Sequence, residues 1–144
     1  MIEGKTPLEK FLNMFVNLQL DILAHYSKNV PPYKESLIAM LKNKKINNQT
    51  ILNTIKALPE DDCLLHGDFH PNNIVMSDET PVIIDFMNVC YGPALYDIAR
   101  TYFLIKQFDR WLADQYLKEI DVSENGIADY LHIIEFCRPC ESQD

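Results

Sequence analysis

Three polar side chains in the middle of the chain stand at a spacing that suits phosphoryl transfer. His66, Asp68 and Asn73 follow a short apolar run in the order H-x-D-x-x-x-x-N. In a phosphoryl-transfer loop with this spacing, the Asp accepts the proton of the acceptor hydroxyl and the Asn holds a metal ion. We therefore predict these two roles for Asp68 and Asn73.

A further carboxylate follows at the end of an apolar run. The residues Val82–Ile84 are typical of a buried strand, and Asp85 comes directly after them. An unpaired buried carboxylate is very costly, so this side chain must face a cation, hydrogen-bond donors or water. Mg²⁺ prefers oxygen ligands and bridges the β- and γ-phosphates of a nucleotide. The carboxylate of Asp85 and the amide oxygen of Asn73 are therefore predicted to be magnesium ligands.

Three motifs in this part of the chain resemble those of the aminoglycoside phosphotransferase and choline kinase family. They are H-G-D-F-H-P-N-N at His66–Asn73, the pair Asp85-Phe86, and the run Gly92–Ala99. The resemblance implies the protein kinase-like fold, with Mg²⁺ and ATP or GTP as cofactors. It also implies transfer of the γ-phosphate to a hydroxyl of a small molecule such as an aminoglycoside or an amino alcohol. Amino-acid hydroxyls and sugar derivatives stay open as acceptors.

The same resemblance gives roles to the site residues. It implies that Asp68 is the catalytic base or orients the acceptor, and that His66 belongs to the catalytic set by orienting the loop. Asn73 and Asp85 would hold the metal and its nucleotide. Asp97 would bond to the backbone of the catalytic loop, although an ion pair with Arg100 is the alternative.

Family members have two lobes, and the resemblance covers only the second. The start of the chain, Ile2–Thr6, resembles the linker between the lobes. We therefore expect residues 1–144 to form one domain, the C-terminal catalytic lobe, with the N-terminal nucleotide-binding lobe absent and possibly supplied as a separate partner. The alternative is a truncated, non-catalytic lobe that binds a partner or a small molecule.

A zinc hydrolase site is an alternative for the same segment. His66, His70 and Asp85 would form a zinc hydrolase site if the two imidazoles lay one turn apart on a helix. Gly67 and Pro71 make a helix there improbable, which favours the phosphoryl-transfer interpretation.

The surrounding pattern predicts an α+β fold that is mostly helical, with a small β-hairpin carrying the catalytic loop. Thr6, Pro7 and Glu9 form a capping-box sequence for a helix that the Asn29–Pro32 segment ends. Further helices are predicted at 34–43, from the cap Asn48 to Leu58, from about Leu95 to Ile105, and at 111–120. Strands are predicted at 63–65, 73–76 and 81–84, the last two joined by the turn at 77–80.

Composition limits the function classes. The 144 residues carry 13 basic and 21 acidic side chains, a net charge of −8, so a nucleic-acid partner is not expected. An acidic surface would favour cationic substrates or serve solubility alone. No stretch is apolar enough for a membrane span, and a cytoplasmic location is the default expectation. The four cysteines, including Cys137 and Cys140, are predicted to be unpaired thiols, and the aromatic residues Phe11, Phe15, Tyr102, Phe103 and Trp111 to lie in the core.

Overall fold

The computed structural model describes residues 4–141, and the side chains of residues 4–137. It is an α+β structure dominated by helices, as the sequence predicts. The helices are α1 Pro7–Leu23, α2 Tyr33–Asn43, α3 Gln49–Ala57, α4 Ala94–Lys106, α5 Arg110–Ile120 and α6 Ala128–Glu141. The strands are β1 Cys63–Leu65, β2 Ile74–Ser77, β3 Thr80–Ile83 and β4 Cys90–Gly92. Within the described range, no helix is long and apolar enough to cross a membrane.

Local capping determines where the first helices begin. The Glu9 amide donates to Thr6 Oγ1 at 3.1 Å and the Thr6 amide to Glu9 Oε2 at 3.4 Å, which completes the predicted capping box. Asn48 caps α3 by accepting from the Ile51 amide at 3.1 Å. The end of α1 was predicted too late. The helix stops at Leu23, because Ala24 lies in a turn and Tyr26 forms an antiparallel bridge with Cys63 of β1.

The predicted hairpin is present. Strands β2 and β3 pair antiparallel from Ile74 opposite Ile83 to Ser77 opposite Thr80. The two turn residues, Asp78 and Glu79, have φ angles of 51° and 65°. Positive φ at both central positions is typical of the type I′ turn, whose twist matches that of the paired strands.

A second strand pair was not predicted from the sequence. Strand β1 pairs antiparallel with β4, with Leu65 opposite Cys90. Strand β1 ends immediately before His66, and β4 begins immediately after Val89. This pair therefore joins the two ends of the segment 66–89, which contains all four predicted site residues.

The core lies between the helices and the start of that segment. Phe15 of α1 packs on Phe69 with ring centroids 4.6 Å apart and meets the edge of Tyr116 from α5 at 5.7 Å. Phe15, Tyr102 and Phe103 are buried as predicted, and Phe11 is partly buried. Trp111 was wrongly assigned to the core. It is 58% exposed, because the apolar face of α5 is formed instead by Ala113, Tyr116, Leu117 and Ile120.

The cysteines form no disulfide wherever their side chains are described. Cys63, Cys90 and Cys137 carry thiols. Burial, with a smaller effect from the charge of Asp97, raises the pKa of the Cys90 thiol to about 12, so it is a poor nucleophile. The side chain of Cys140 lies outside the described residues.

Candidate functional site

His66 connects the two halves of the site through its imidazole ring. The side chain is fully buried, and Nδ1 accepts a hydrogen bond from the Asp68 amide at 3.2 Å. A neutral ring that accepts at Nδ1 carries its proton on Nε2, which lies 3.0 Å from the carbonyl oxygen of Ile84 and donates to it. Both ring nitrogens are thus used by backbone groups, an arrangement that suits an orienting role and not proton transfer.

Asp68 is held as a carboxylate. Burial raises its pKa, but the hydrogen bond and charge of His70 and the charge of Arg100 together outweigh burial, so that the pKa lies below its ordinary value. The His70 ring nitrogen is 3.6 Å from Asp68 Oδ2, and the Asp68 side chain is 20% exposed. An accessible carboxylate that stays ionised at neutral pH can accept a proton from a bound hydroxyl.

Asn73 lies against Asp68 through its amide nitrogen. Its Nδ2 donates to the Asp68 carbonyl at 2.8 Å and is 3.3 Å from Asp68 Oδ2. All the hydrogen bonds that the side chain makes with described residues use Nδ2, and none uses the amide oxygen. Among those residues no buried side-chain oxygen lacks a partner, so the Asn73 oxygen must reach accessible surface. That oxygen is therefore available to a ligand.

Asp85 is brought close to Asn73 by the hairpin. The Ile84 amide donates to the Asn73 carbonyl at 2.9 Å, which places Asp85 one residue beyond this contact. Asp85 is exposed and has a left-handed φ of 61°, a conformation that Asp tolerates better than most residues. The apolar run before it was expected to be buried, and this was wrong: Val82 is 43% exposed and Ile84 is 40% exposed.

The donor set fits magnesium and does not fit zinc. One carboxylate and one amide oxygen suit Mg²⁺, which keeps several waters and takes further oxygens from phosphates. In the part of the chain that the structure describes, no three His, Cys, Asp or Glu side chains form a metal-binding group. His66 also has no nitrogen free for a metal. The zinc hydrolase interpretation of His66, His70 and Asp85 is therefore wrong.

Asp97 holds the loop at 66–73 through a hydrogen bond from the loop backbone. Its fully buried carboxylate accepts from the Gly67 amide at 2.9 Å and from Gln19 Nε2 at 3.2 Å. Burial raises the pKa of Asp97, and the hydrogen bonds from Gly67 and Gln19 oppose that rise. Arg100 adds a bond from Nε to the Gly67 carbonyl at 3.3 Å. These contacts agree with the scaffold interpretation of Asp97.

The sequence analysis missed two residues that complete this support. Gln19 of α1 donates to Asp97 and to Thr101 Oγ1 at 3.1 Å, and it accepts from the Tyr116 hydroxyl. Thr101 in turn donates to the Phe69 carbonyl at 2.7 Å. A signal was present, because Gln19 is a polar residue at a position of α1 whose neighbours on the same face are apolar.

A cavity of about 560 Å³ opens beside Asp68. It lies between the start of α2, the segment before β4 and one face of α4. Neither Asn73 nor Asp85 is among its described lining residues. Those residues are Pro31, Ser36, Leu37, Met40, Gly67, Asp68, Met87, Asn88, Val89, Cys90, Tyr96, Arg100 and Leu104.

Comparison with known proteins identifies the class. Residues 22–129 match the model of the phosphotransferase enzyme family (APH), which is well over half of the 144-residue chain. The chain therefore belongs to the phosphotransferase enzyme family.

One protein similar to this chain has a name that specifies its substrates. The chain is 40% identical over 42 residues to the N-acetylmuramate/N-acetylglucosamine kinase of Pseudomonas putida. That match covers 29% of this chain and 12% of the kinase. The chain thus matches only a small part of the length of this relative.

Proposed function

We propose that this chain is the C-terminal catalytic lobe of a kinase-type phosphotransferase that moves the γ-phosphate of ATP or GTP to a hydroxyl of a small molecule. The observation that carries the proposal is the contact between Asp68 and Asn73, with His66 and Asp97 holding the loop that bears them. A turn that only connected two strands would not need these three buried or part-buried polar contacts. Family membership supports the reaction type.

In this proposal, Asp68 acts on the acceptor. The acceptor oxygen attacks the γ-phosphorus, the bond between that phosphorus and the β,γ-bridging oxygen breaks, and the hydroxyl proton goes to Asp68. The low pKa of Asp68 suits a loose transition state in which the hydroxyl loses its proton late. Asn73 and Asp85 would hold Mg²⁺, which neutralises charge on the phosphate oxygens.

The nucleotide would bind on the hairpin side, beneath an N-terminal lobe. The hairpin and the residues after it present large apolar side chains to solvent, which is typical of a surface with a partner. We propose that this partner is the nucleotide-binding lobe, within one chain or as a separate protein, and that the enzyme works in the cytoplasm, where ATP is available. The exposed side chains are Val75, Met76, Val82, Ile84, Phe86 and Met87.

The function is tested by phosphate transfer from labelled ATP to a panel of hydroxyl acceptors, with an N-terminal lobe supplied. Asp68→Asn should lower kcat by about 10²–10⁴-fold, because it removes the base while keeping the shape. The control is Asp78→Asn in the exposed hairpin turn, where Asn also tolerates positive φ. Near-normal turnover of Asp68→Asn would contradict the assigned role. Absence of transfer to every acceptor would favour a non-catalytic lobe.

A further inference from the structure

The cavity beside Asp68 is the place in the described structure where an acceptor can meet the proposed base. Its volume of about 560 Å³ is ample for a molecule of monosaccharide size. Because Asn73 and Asp85 are not among its described lining residues, the cavity is distinct from the proposed metal and nucleotide site. The groups that line it therefore report the chemistry of the acceptor.

The two charges in this cavity are opposite in sign and act on each other. The described lining contains one anion, Asp68, and one cation, Arg100, and the other lining side chains are uncharged. Arg100 donates to the Gly67 carbonyl, and its charge helps to lower the pKa of Asp68. Both charges thus have a role at the loop that bears Asp68, and neither is assigned to the acceptor. A charged acceptor would find no further counter-charge among the described lining residues, which makes its burial costly.

The acidic side chains that a polycation would need gather at a different place. A second cavity, of about 630 Å³, does not include Asp68 among its described lining residues. Its lining contains instead four other carboxylates, those of Glu35, Glu60, Asp61 and Asp62. The net charge of −8 therefore does not describe the surface that an acceptor meets beside Asp68.

Two neutral polar side chains, Ser36 and Asn88, line the cavity beside Asp68. Ser36 lies in α2 and Asn88 shortly before β4, and both residues are exposed, so that each can exchange water for a ligand group. A hydroxyl donates and accepts hydrogen bonds, and an amide offers two donors and one acceptor. These groups are complementary to the hydroxyls of a neutral molecule. Apolar surface for its C–H groups comes from Leu37, Met40 and Leu104.

The backbone of Asn88 is packed directly against the residue before Asp68. A Cβ added to Gly67 would lie 2.1 Å from the Asn88 carbonyl oxygen, so the two backbones are in close contact. Two residues further on, Cys90 pairs with Leu65 of β1. Backbone contacts thus hold Asn88 beside the proposed base, where its amide is placed to select the acceptor.

We propose that the acceptor is an uncharged polyhydroxyl compound of about monosaccharide size, and that Asn88 and Ser36 bind its hydroxyls while one hydroxyl faces Asp68. This inference rests on the proposed function, since it names the substrate class of the same site. The neutral polar groups and the apolar surface match a molecule that carries hydroxyls at its edge and C–H groups on its faces. Selection then comes from hydrogen bonds, because a ligand without the matching hydroxyl leaves a polar group unpaired.

Three sugars that differ at one group test the role of charge. They are glucose, the amino sugar in which an ammonium group replaces the exocyclic hydroxyl, and glucuronate, in which a carboxylate replaces the exocyclic hydroxymethyl group. Binding of each sugar to the full chain is measured by calorimetry and by amide chemical shifts. We expect glucose to bind about tenfold or more tightly than either charged sugar, with shifts at Ser36 and Asn88.

Variants assign the selection to single side chains. Asn88→Ala and Ser36→Ala should each weaken glucose binding about three- to tenfold, because hydrogen bonds to the sugar are lost. Asn88→Asp adds a second carboxylate to the cavity and should shift the preference towards the ammonium sugar by about threefold. The control Asn53→Asp makes the same change on the surface of α3, outside the cavity, and should alter none of the three affinities. Circular dichroism melting shows whether each variant is folded, and the sugars are compared within one folded protein.

The outcomes separate this inference from the proposed function. It would be overturned by equal or tighter binding of either charged sugar, by tighter binding of the polycation kanamycin at Ser36 and Asn88, or by no binding of glucose, galactose or mannose at about 10 mM. Unchanged glucose affinity in folded Asn88→Ala and Ser36→Ala would also overturn it. Phosphate transfer only to charged acceptors would overturn it and leave the phosphotransferase function standing. Asn88-dependent binding of glucose without transfer to any acceptor, in the presence of an N-terminal lobe, would support it and count against the function.

Discussion

Replacing Gln19 with Leu removes the buried amide of α1 that bonds to Tyr116 of α5 and to Asp97, the residue that holds the loop at 66–73. Leu keeps most of the volume, so the loss is confined to hydrogen bonds. One of these reaches the charged Asp97 at 3.2 Å, and a hydrogen bond to a charged group contributes about 1.5–3 kcal/mol. The fully buried Tyr116 hydroxyl also loses its acceptor, which costs a further 1–3 kcal/mol or so. The expected loss is about 2.5–6 kcal/mol of unfolding free energy.

The measurement is urea unfolding of the full chain followed by far-ultraviolet circular dichroism. Gln49→Leu is the matched control, because that amide lies on the surface of α3 and bonds only to Asn53 there. Its effect should stay within about 0.5 kcal/mol. Hydrogen exchange at the Gly67 amide supplies a second readout, since its acceptor Asp97 loses support from Gln19. That amide should exchange faster in Gln19→Leu.

A double variant tests whether the two costs have been assigned correctly. Tyr116→Phe removes the hydroxyl that Gln19→Leu leaves unsatisfied, so the pair should be less destabilised than the sum of the single variants by about 1–3 kcal/mol. Additivity within about 0.5 kcal/mol would show that the two side chains do not act together. A loss below about 1 kcal/mol in Gln19→Leu alone would refute the reasoning from buried hydrogen bonds.

Three further results are expected. Gly67→Ala should lower the free energy of unfolding in urea by about 2–5 kcal/mol. The reason is that Gly67 has a φ of +85° and an added Cβ would lie 2.1 Å from the Asn88 carbonyl oxygen. In the control Gly126→Ala, the added Cβ meets only Ser123 Oγ, at 3.2 Å. Carboxyl NMR titration should give Asp68 a pKa below its ordinary value of 3.8, and His70→Leu should raise that pKa. The stabilisation of the fold by ionised Asp68 is present above the ordinary pKa and is lost as the pH falls through the folded pKa. An unchanged pKa of Asp68 in His70→Leu would contradict the assigned cause. Calorimetry of the chain alone with ATP and magnesium should show little or no binding, since in the proposed two-lobed enzyme the phosphate-covering loop and its Lys would belong to the other lobe. Micromolar binding would overturn that proposal.

Features set by neighbouring residues were predicted well. The caps at Thr6 and Asn48 and the turn at 77–80 depend on side chains within three or four positions of each other, and each lies where the sequence places it. The strand β4 was missed because Cys90–Gly92 contains no Leu, Ile or Val and its partner strand β1 lies 25 or more residues earlier in the chain. The end of α1 was placed late because a tertiary bridge at Tyr26 overrides the helical pattern.

The same difference between local features and contacts distant in sequence applies to the candidate site. His66, Asp68, Asn73 and Asp85 are recognisable because one short stretch of chain fixes their spacing. Their geometry agrees with the assigned roles, which remain predictions until a variant is assayed. The sequence marks Gln19 only as a polar residue on an apolar helix face. Its partners and the cavity at Arg100 were not predictable, because they arise only when helices distant in sequence pack on the loop.

The hydrogen bonds of Gln19 also bear on the order in which the chain folds. Gln19 bonds to Asp97, 78 residues later, and to Tyr116, 97 residues later. Closing loops of this length costs conformational entropy before the contact returns any free energy. On the ribosome, α1 emerges before α4 and α5, so Gln19 has no native partner until α4 has been made and lacks the Tyr116 hydroxyl until α5 follows. The loop at 66–73 is synthesised between these helices, yet it can gain its full native support only after α5 has been synthesised.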